Sequence, residues 1–291
     1  MAVKFFGQYL VEKGVVTRET LLKAVELQES VNLSFGDIAL SMEFLSRQDI
    51  ERVNQAQRSE DLRFGDMAVK LGLLTQERMQ QVLTKQKNGH LYIGEALVKV
   101  GGLDEAELIQ YLAEFKADQA PYITERVTIP AGVPHPEIWE MAADLTYKML
   151  TRIARLTFRP EPCRVAGSLA ESDVTATIRF NGDINACYIF AVSRGVRARI
   201  AAAILDEADV GHEPQEVLND TVMEFINVVC GNIAAKAAQL GKALDISPPE
   251  IVNPGGMEAQ AGQVGIIFPI CLSDGERAEL AIFTNSVKGE G

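Results

Sequence analysis

The chain has 291 residues, of which 47% are hydrophobic and 23% charged, so it has room for two globular domains with substantial cores. Its formal net charge of −12 excludes the strongly basic surface that nucleic-acid binding requires, and no nucleic-acid partner is expected. No stretch reaches the roughly 18 apolar residues of a membrane span, and the first residues lack a signal-peptide hydrophobic region, so we expect a cytoplasmic protein.

Four copies of one 29-residue unit occupy residues 1–116 and predict an all-α repeat region. Units one to four begin at residues 5, 34, 63 and 92, and each has a glycine two residues later. Each unit predicts a short helix, then a helix-capping residue at position 17, 46, 75 or 104, then a second amphipathic helix. A single unit could not bury its apolar stripe alone, so the units must pack on each other.

The units resemble the tandem motif of MshEN domains, which are related to the N-terminal domains of type II secretion and type IV pilus assembly ATPases. Two motifs make one such domain, so the resemblance implies two tandem domains within residues 1–116. Some MshEN domains bind cyclic di-GMP, with an Arg that opens the motif and a Gln that closes it. A guanidinium at that position suits both guanine and phosphate.

Only unit three keeps both residues that the resemblance implies for this ligand, Arg63 and Gln86. Its expected partner, unit four, has Tyr92 and Phe115 instead. Residues 1–120 carry 14 basic against 18 acidic side chains, a balance that repels a ligand with two phosphates. We therefore expect a packing or docking module without tight cyclic di-GMP binding. The alternative is a cyclic di-GMP effector that acts through these repeats.

A proline-rich linker is predicted over 117–136, and an α+β domain with an antiparallel sheet over 137–287. The expected helices cover 137–153, 194–205 and a long central segment from about Pro214 to Gly241. A β-hairpin is expected over 174–192, with Asn181-Gly182 at its tight turn. Further strands are expected at 244–252, 263–270 and 278–284.

The long central helix separates into an apolar face and a polar face. Its apolar face must be buried and consists of Leu218, Val222, Phe225, Ile226, Val229 and Ile233. Asp220, Glu224, Asn227 and Gly231 lie on the other face, with Glu224 and Asn227 as i,i+3 neighbours. Asn and Gly are poor choices for an ordinary mid-helix surface, and the glycine removes a side chain where another protein could approach.

The sequence EFINVVCGN on this helix resembles the chemotaxis phosphatase CheX, which belongs with CheC and FliY. The resemblance spans roughly 135–287 and rests on an E-x-x-N-x-x-x-G-N motif, here Glu224, Asn227, Gly231 and Asn232. CheC carries a second E-x-x-N on its first helix. Here Glu140 is followed three residues later by Ala143, so a single site is expected.

The resemblance implies dephosphorylation of the aspartyl phosphate of a CheY-like response regulator. Asn227 is then the candidate that places the attacking water, and Glu224 the candidate that pairs with the regulator's lysine. Asp220 and Gly231 are candidate partner contacts, and Mg²⁺ is expected on the regulator rather than on this chain. The alternative is a non-catalytic adaptor with the same fold. A homodimer through the C-terminal domain is also expected, because apolar outer strands need a cover.

Cysteine and histidine spacing gives no sign of a metal site or of a cofactor belonging to this chain. The four cysteines are far apart and fit no C-x-x-C pattern, which is typical of small buried residues in a reducing compartment. His90, His135 and His212 are equally scattered, so no cluster of metal ligands is predicted.

Overall fold

The computed structural model describes residues 3–120, 127–252 and 258–285. Its contacts divide the chain into two compact units, with the boundary between Pro121 and Tyr122. The expected order, a helical region followed by an antiparallel sheet with a long helix, is confirmed. Residues 121–126 of the predicted linker lie outside the described residues. Among the described helices, none is both long and apolar enough to cross a membrane.

The described part of the N-terminal unit consists of eight helices in which short and long members alternate. Their bounds are α1 Phe6–Glu12, α2 Arg18–Val31, α3 Phe35–Ser41, α4 Arg47–Gln57, α5 Phe64–Lys70, α6 Gln76–Gly89, α7 Ile93–Lys99 and α8 Glu105–Gln119. The long helices begin where the sequence places a cap, because each cap side chain accepts a hydrogen bond from a backbone N–H three residues on. The capping residues are Thr17, Ser46, Thr75 and Asp104.

The helical units pack in a nested order that differs from the tandem pairing expected from the sequence. One apolar core combines units one and four and includes Phe6, Leu10, Ala24, Leu97 and Phe115. A second core combines units two and three and includes Ile38, Val53, Met67 and Val82. Aromatic residues help to explain why the nested pairing forms instead of the tandem one. Phe115 is buried against Phe6 and Tyr9 with ring centroids 5.4 Å apart in both pairs, which joins unit four to unit one.

The C-terminal unit is built on an eight-stranded antiparallel sheet within the described residues. Its order is β1-β7-β8-β4-β3-β5, with β2 also paired to β7 and β6 also paired to β3. The bounds are β1 Phe158–Pro160, β2 Arg164–Val165, β3 Val174–Gly182, β4 Ala186–Val192, β5 Leu244–Ile246, β6 Glu250–Val252, β7 Gln263–Leu272 and β8 Arg277–Asn285. The central strands β4 and β8 are buried on both faces, which explains their continuous apolar runs.

Two long helices cover one face of this sheet. These helices are α9, Pro136–Arg152, and α11, Gln215–Gln239. Both contribute to the largest core, together with Phe180, Tyr188 and Phe268 from the sheet. Between β4 and α11 lies α10, Arg194–Leu205, which packs on α11. The helix bounds agree with the predicted ones to within two residues.

The opposite face of the sheet is covered by the chain itself. Ile189, Ile267 and Phe283 are at most 2% exposed and pack with Ala166 and Leu169, which follow β2. The apolar strands that motivated the predicted dimer are therefore already buried within one chain. Dimerisation through this domain stays a prediction, but the need to cover apolar strands no longer supports it.

Two strand predictions need correction. Asn181 and Gly182 do not form the hairpin turn, because both belong to β3 and pair with Asp245 and Leu244 of β5. The turn falls instead between Gly182 and Ala186, where β4 begins. The strand predicted over 244–252 is divided into β5 and β6, since the intervening Pro248 and Pro249 have no N–H to donate to a ladder.

Candidate functional site

The long helix α11 presents the predicted polar side chains to solvent because its opposite face is firmly buried. Val222, Phe225, Ile226, Val229 and Ile233 are each 0% exposed in the core beneath it. This burial fixes the rotation of the helix about its axis. A change of one residue in helical phase would bring a carboxylate or an amide into the core, where an unpaired polar group costs several kcal/mol, about 2–7.

The exposed face of α11 brings together the four residues that the sequence singled out. Asp220, Glu224 and Asn227 are exposed, and none of their side chains forms a hydrogen bond or ion pair within the described part of the chain. At Gly231, an added Cβ would meet no atom within 4 Å. The result is an open strip with two free carboxylates, a free carboxamide and an unobstructed backbone along about three turns of helix.

A buried arginine ties the first turns of this helix to the sheet. Arg197 of α10 is 4% exposed and donates through Nη1 to Asn219 Oδ1 at 2.9 Å. Its Nη2 lies 3.0 Å from Asp173 Oδ2, in the segment that leads into β3. The Nε atom is also buried and has no partner among the described residues. Asn219 immediately precedes Asp220, so this link helps to set where the exposed strip points.

The second asparagine of the motif has a different role from the first. Asn232 is half-buried and its Nδ2 donates to the Val228 backbone carbonyl at 2.8 Å, four residues back along the helix. This back-bond keeps the amide on its own helix. Asn232 is therefore part of the helix structure rather than of the open strip.

The helix α9 carries no second Glu-x-x-Asn pair. Glu140 is exposed, but Ala143, three residues later, is 0% exposed and lies in the core. A cavity of about 620 Å³ lies beside α9 and is lined in part by Glu137, Glu140 and Asp144. It does not include Glu224 or Asn227, so it is separate from the candidate site.

One cluster of possible metal ligands was missed from the sequence. His212 Nε2 lies 3.2 Å from Glu213 Oε1 and 3.8 Å from Glu207 Oε2 in the connection between α10 and α11. The sequence analysis did not anticipate this grouping, and the expected absence of a metal site stays a prediction. The spacing E-x-x-x-x-H-E is not a familiar metal motif, and only the fold of the connection brings Glu207 back to the other two.

The closing glutamines of the N-terminal unit hold the nested pairs together. Gln57 Nε2 donates to the Leu62 carbonyl at 2.7 Å, and Gln86 Nε2 to the Leu33 carbonyl at 3.4 Å. Leu62 and Leu33 are the residues that immediately precede units three and two. Gln28 makes the same kind of bond, at 3.0 Å, to the carbonyl of Leu91, which immediately precedes unit four. Each glutamine amide is therefore engaged with the backbone that leads into the unit with which its own unit packs.

The predicted ligand residues of unit three have different neighbours from those expected. Arg63 is exposed and is the N-cap of α5, but its side chain makes no capping bond. Unit three packs with unit two rather than with unit four, so the residue equivalent to Arg63 in the pair is Ser34. Ser34 Oγ caps its own helix by accepting from the Asp37 N–H at 3.1 Å. The pair thus has an arginine at only one of its two opening positions.

The four cysteines are free thiols in positions that suppress their reactivity. Cys230 and Cys271 are buried, and Cys163 and Cys187 are half-buried. Burial raises the pKa of the Cys163 and Cys187 thiols to about 11, so both are protonated at neutral pH. These thiols are poor nucleophiles and poor metal ligands under those conditions.

Comparison with known proteins identifies the C-terminal domain. Residues 174–271, which include Glu224, Asn227 and Gly231, match the family described as chemotaxis phosphatase CheX. This match confirms the resemblance for that domain, while the MshEN-like resemblance of the repeats stays a prediction. No curated protein matches the chain.

Several solved structures are similar to about half of the chain. CheX from Vibrio vulnificus has 24% identity and a TM-score of 0.45, covering 50% of this chain and 99% of that one. CheX from Desulfovibrio desulfuricans has 19% identity and a TM-score of 0.43, covering 50% and 97%. A CheX–CheY–BeF3–Mg²⁺ complex from Borrelia burgdorferi has 18% identity and a TM-score of 0.44, covering 51% and 98%.

Proposed function

We propose, from the CheX domain at residues 174–271, that this protein hydrolyses the aspartyl phosphate of a CheY-like response regulator. One observation carries the proposal: Glu224 and Asn227 lie side by side on an exposed helix face, and neither is held by another described residue. Asn is a poor residue for the exposed middle of a helix, and both side chains are hydrated rather than engaged with this chain. These two are available to a partner.

This chain needs to contribute little to the reaction barrier, because an acyl phosphate is already activated for hydrolysis. A water oxygen forms a bond to phosphorus while the bond from phosphorus to the aspartate oxygen breaks, releasing the aspartate carboxylate and inorganic phosphate. Such phosphoryl transfer depends mainly on positioning and electrostatics. The Asn227 carboxamide can accept a hydrogen bond from the water through Oδ1 and hold it in line with the breaking bond.

Glu224 has the geometry of a docking residue for the same partner. On a helix, residues three apart have Cβ atoms about 5–6 Å from each other, so Glu224 and Asn227 can reach neighbouring groups of one active site. The Glu224 carboxylate would pair with the regulator's lysine, and the regulator would bring its own Mg²⁺. Asp220 and Gly231 flank the pair along the strip and would contact the rest of the regulator surface.

The N-terminal unit would serve as a docking or sensing module for this activity. Its exposed apolar side chains include Ile109 at 71% and Leu22 at 54%, although no feature among the described residues identifies what they bind. The proposal for the C-terminal domain does not depend on this role.

The decisive experiment measures phosphate release from a phosphorylated CheY-like regulator with and without the full-length protein. Asn227→Ala should lower the catalysed rate by about 10²–10³, the range for loss of one preorganised polar group. Regulator binding should persist, because the amide is a small part of any interface. Glu224→Ala should weaken both binding and rate.

Gln239→Ala provides a matched control on the same helix. Gln239 is also an exposed carboxamide, about 18 Å further along α11, so its removal should leave the rate unchanged. Normal phosphate release by Asn227→Ala would reject the assignment of that residue. Regulator binding without any acceleration of phosphate release would instead make the protein a non-catalytic adaptor.

A further inference from the structure

The connection between α10 and α11 brings the Glu207 side chain next to His212 and Glu213, which are consecutive in sequence. The ligand atoms of Glu207, His212 and Glu213 all lie within 4.8 Å of one another. Two of the separations, 3.2 Å and 3.8 Å, involve His212 Nε2. Ligand atoms about 2.0 Å from a tetrahedral Zn²⁺ are themselves about 3.3 Å apart. The two separations that involve His212 are therefore close to those of a zinc site.

The backbone around these residues is held in place before any ion binds. Val210, between Glu207 and His212, is 5% exposed and packs with Ala201 and Leu218, which anchors the loop to both helices. The Glu207 N–H donates to the Ala202 carbonyl at 3.1 Å, and the Glu213 N–H donates to the Val210 carbonyl at 3.1 Å. Binding would thus require side-chain adjustment rather than refolding of the loop.

We propose that Glu207, His212 and Glu213 form a binding site for one divalent transition-metal ion of the Zn²⁺ type. An imidazole nitrogen with two carboxylate oxygens suits Zn²⁺, whereas Mg²⁺ prefers an octahedral set of oxygen ligands. Three protein ligands leave a fourth position for water. The bound ion would join the end of α10 to the start of α11, the helix that carries Glu224 and Asn227. This site does not depend on the proposed phosphatase activity.

The test uses the full-length protein, stripped of metals with a chelator and titrated with Zn²⁺ in competition with a chromogenic zinc indicator. The wild type should bind one Zn²⁺ per chain at micromolar concentrations. His212→Ala should weaken binding by about 100-fold or more, since removing even an outer-shell partner of a ligand costs about 10–100-fold. Glu213→Gln should also weaken binding. A Mg²⁺ excess should not compete.

His90→Ala is the matched control, because His90 is equally exposed but belongs to the N-terminal unit. This variant should bind Zn²⁺ as the wild type does. Thermal unfolding gives a second readout: saturating Zn²⁺ should raise the melting temperature of the wild type and of His90→Ala but not of His212→Ala. The proposal is overturned if no saturable site appears, or if His212→Ala binds as tightly as the wild type.

Discussion

At the scale of single residues, burial distinguishes the asparagine proposed to act in catalysis from the one bonded to its own helix. Asn227 and Asn232 are five residues apart on α11 and belong to the same motif. Asn227 is exposed with a free amide, whereas the Asn232 amide is bonded to the Val228 carbonyl at 2.8 Å. The helical periodicity of the sequence places Asn227 on the exposed face, because the apolar positions on either side of it are buried.

Substitution of Gly231 tests whether a partner approaches the exposed strip closely. Gly231→Ala should raise the free energy of unfolding by about 0.5–1 kcal/mol, because alanine is the better helix former and the added methyl meets no atom of this chain. The same substitution should weaken regulator binding if the partner packs against the bare backbone. Urea denaturation and a binding titration on one preparation measure both effects. Higher stability with unchanged affinity would place Gly231 outside the interface.

At the scale of elements, the sequence predicted the helix that carries the site but not what orients it. The bounds and buried face of α11 follow from its apolar spacing. Arg197 of α10, which bonds Asn219 of α11, is paired with Asp173 just before β3, and β3 and β4 separate these two residues in sequence, so no local pattern reveals the link. The hairpin turn was misplaced for a related reason. Asn181-Gly182 has the composition of a turn, but pairing with β5, which lies more than 60 residues later, extends β3 through it.

Removing Asp173 and removing Arg197 should lower the free energy of unfolding by different amounts. Asp173→Ala leaves the Arg197 guanidinium buried with Asn219 as its remaining named partner. This change should cost about 2–3 kcal/mol, below the usual range for a broken buried pair because Asp173 is itself 36% exposed. Arg197→Met removes the buried charge and should cost only about 1 kcal/mol, since Asp173 can turn to water. Urea denaturation of the two variants compares these costs, and a larger loss for Arg197→Met would contradict this account.

At the scale of the whole molecule, the repeats show what an exact sequence period does and does not determine. The 29-residue spacing predicted the alternation of short and long helices and the capping residues, because those depend on neighbours within one unit. It did not predict which units pair, since all four carry similar apolar stripes. Differences between the units decide the pairing. Phe115 replaces a closing glutamine and fills the core that units one and four share.

This nested pairing leads to a prediction about cyclic di-GMP. Units two and three offer Arg63 and Ser34 at the opening positions, and the amides of Gln57 and Gln86 already bond backbone carbonyls. Only one of the two opening positions then supplies an arginine to meet two phosphates, in a region where acidic side chains outnumber basic ones by 18 to 14 over residues 1–120. We therefore expect no binding tighter than about 10 μM, or about −7 kcal/mol.

Calorimetry on the full-length protein measures this directly, with Arg63→Ala and Arg47→Ala compared under the same conditions. Arg47 is an exposed arginine of unit two outside the motif position, so its loss should have no specific effect. A submicromolar affinity that Arg63→Ala abolishes and Arg47→Ala preserves would contradict the prediction. It would mean that the ligand displaces the glutamine bonds between units two and three. In that case ligand binding would be coupled to the packing of the repeats, because the same amides cannot serve both.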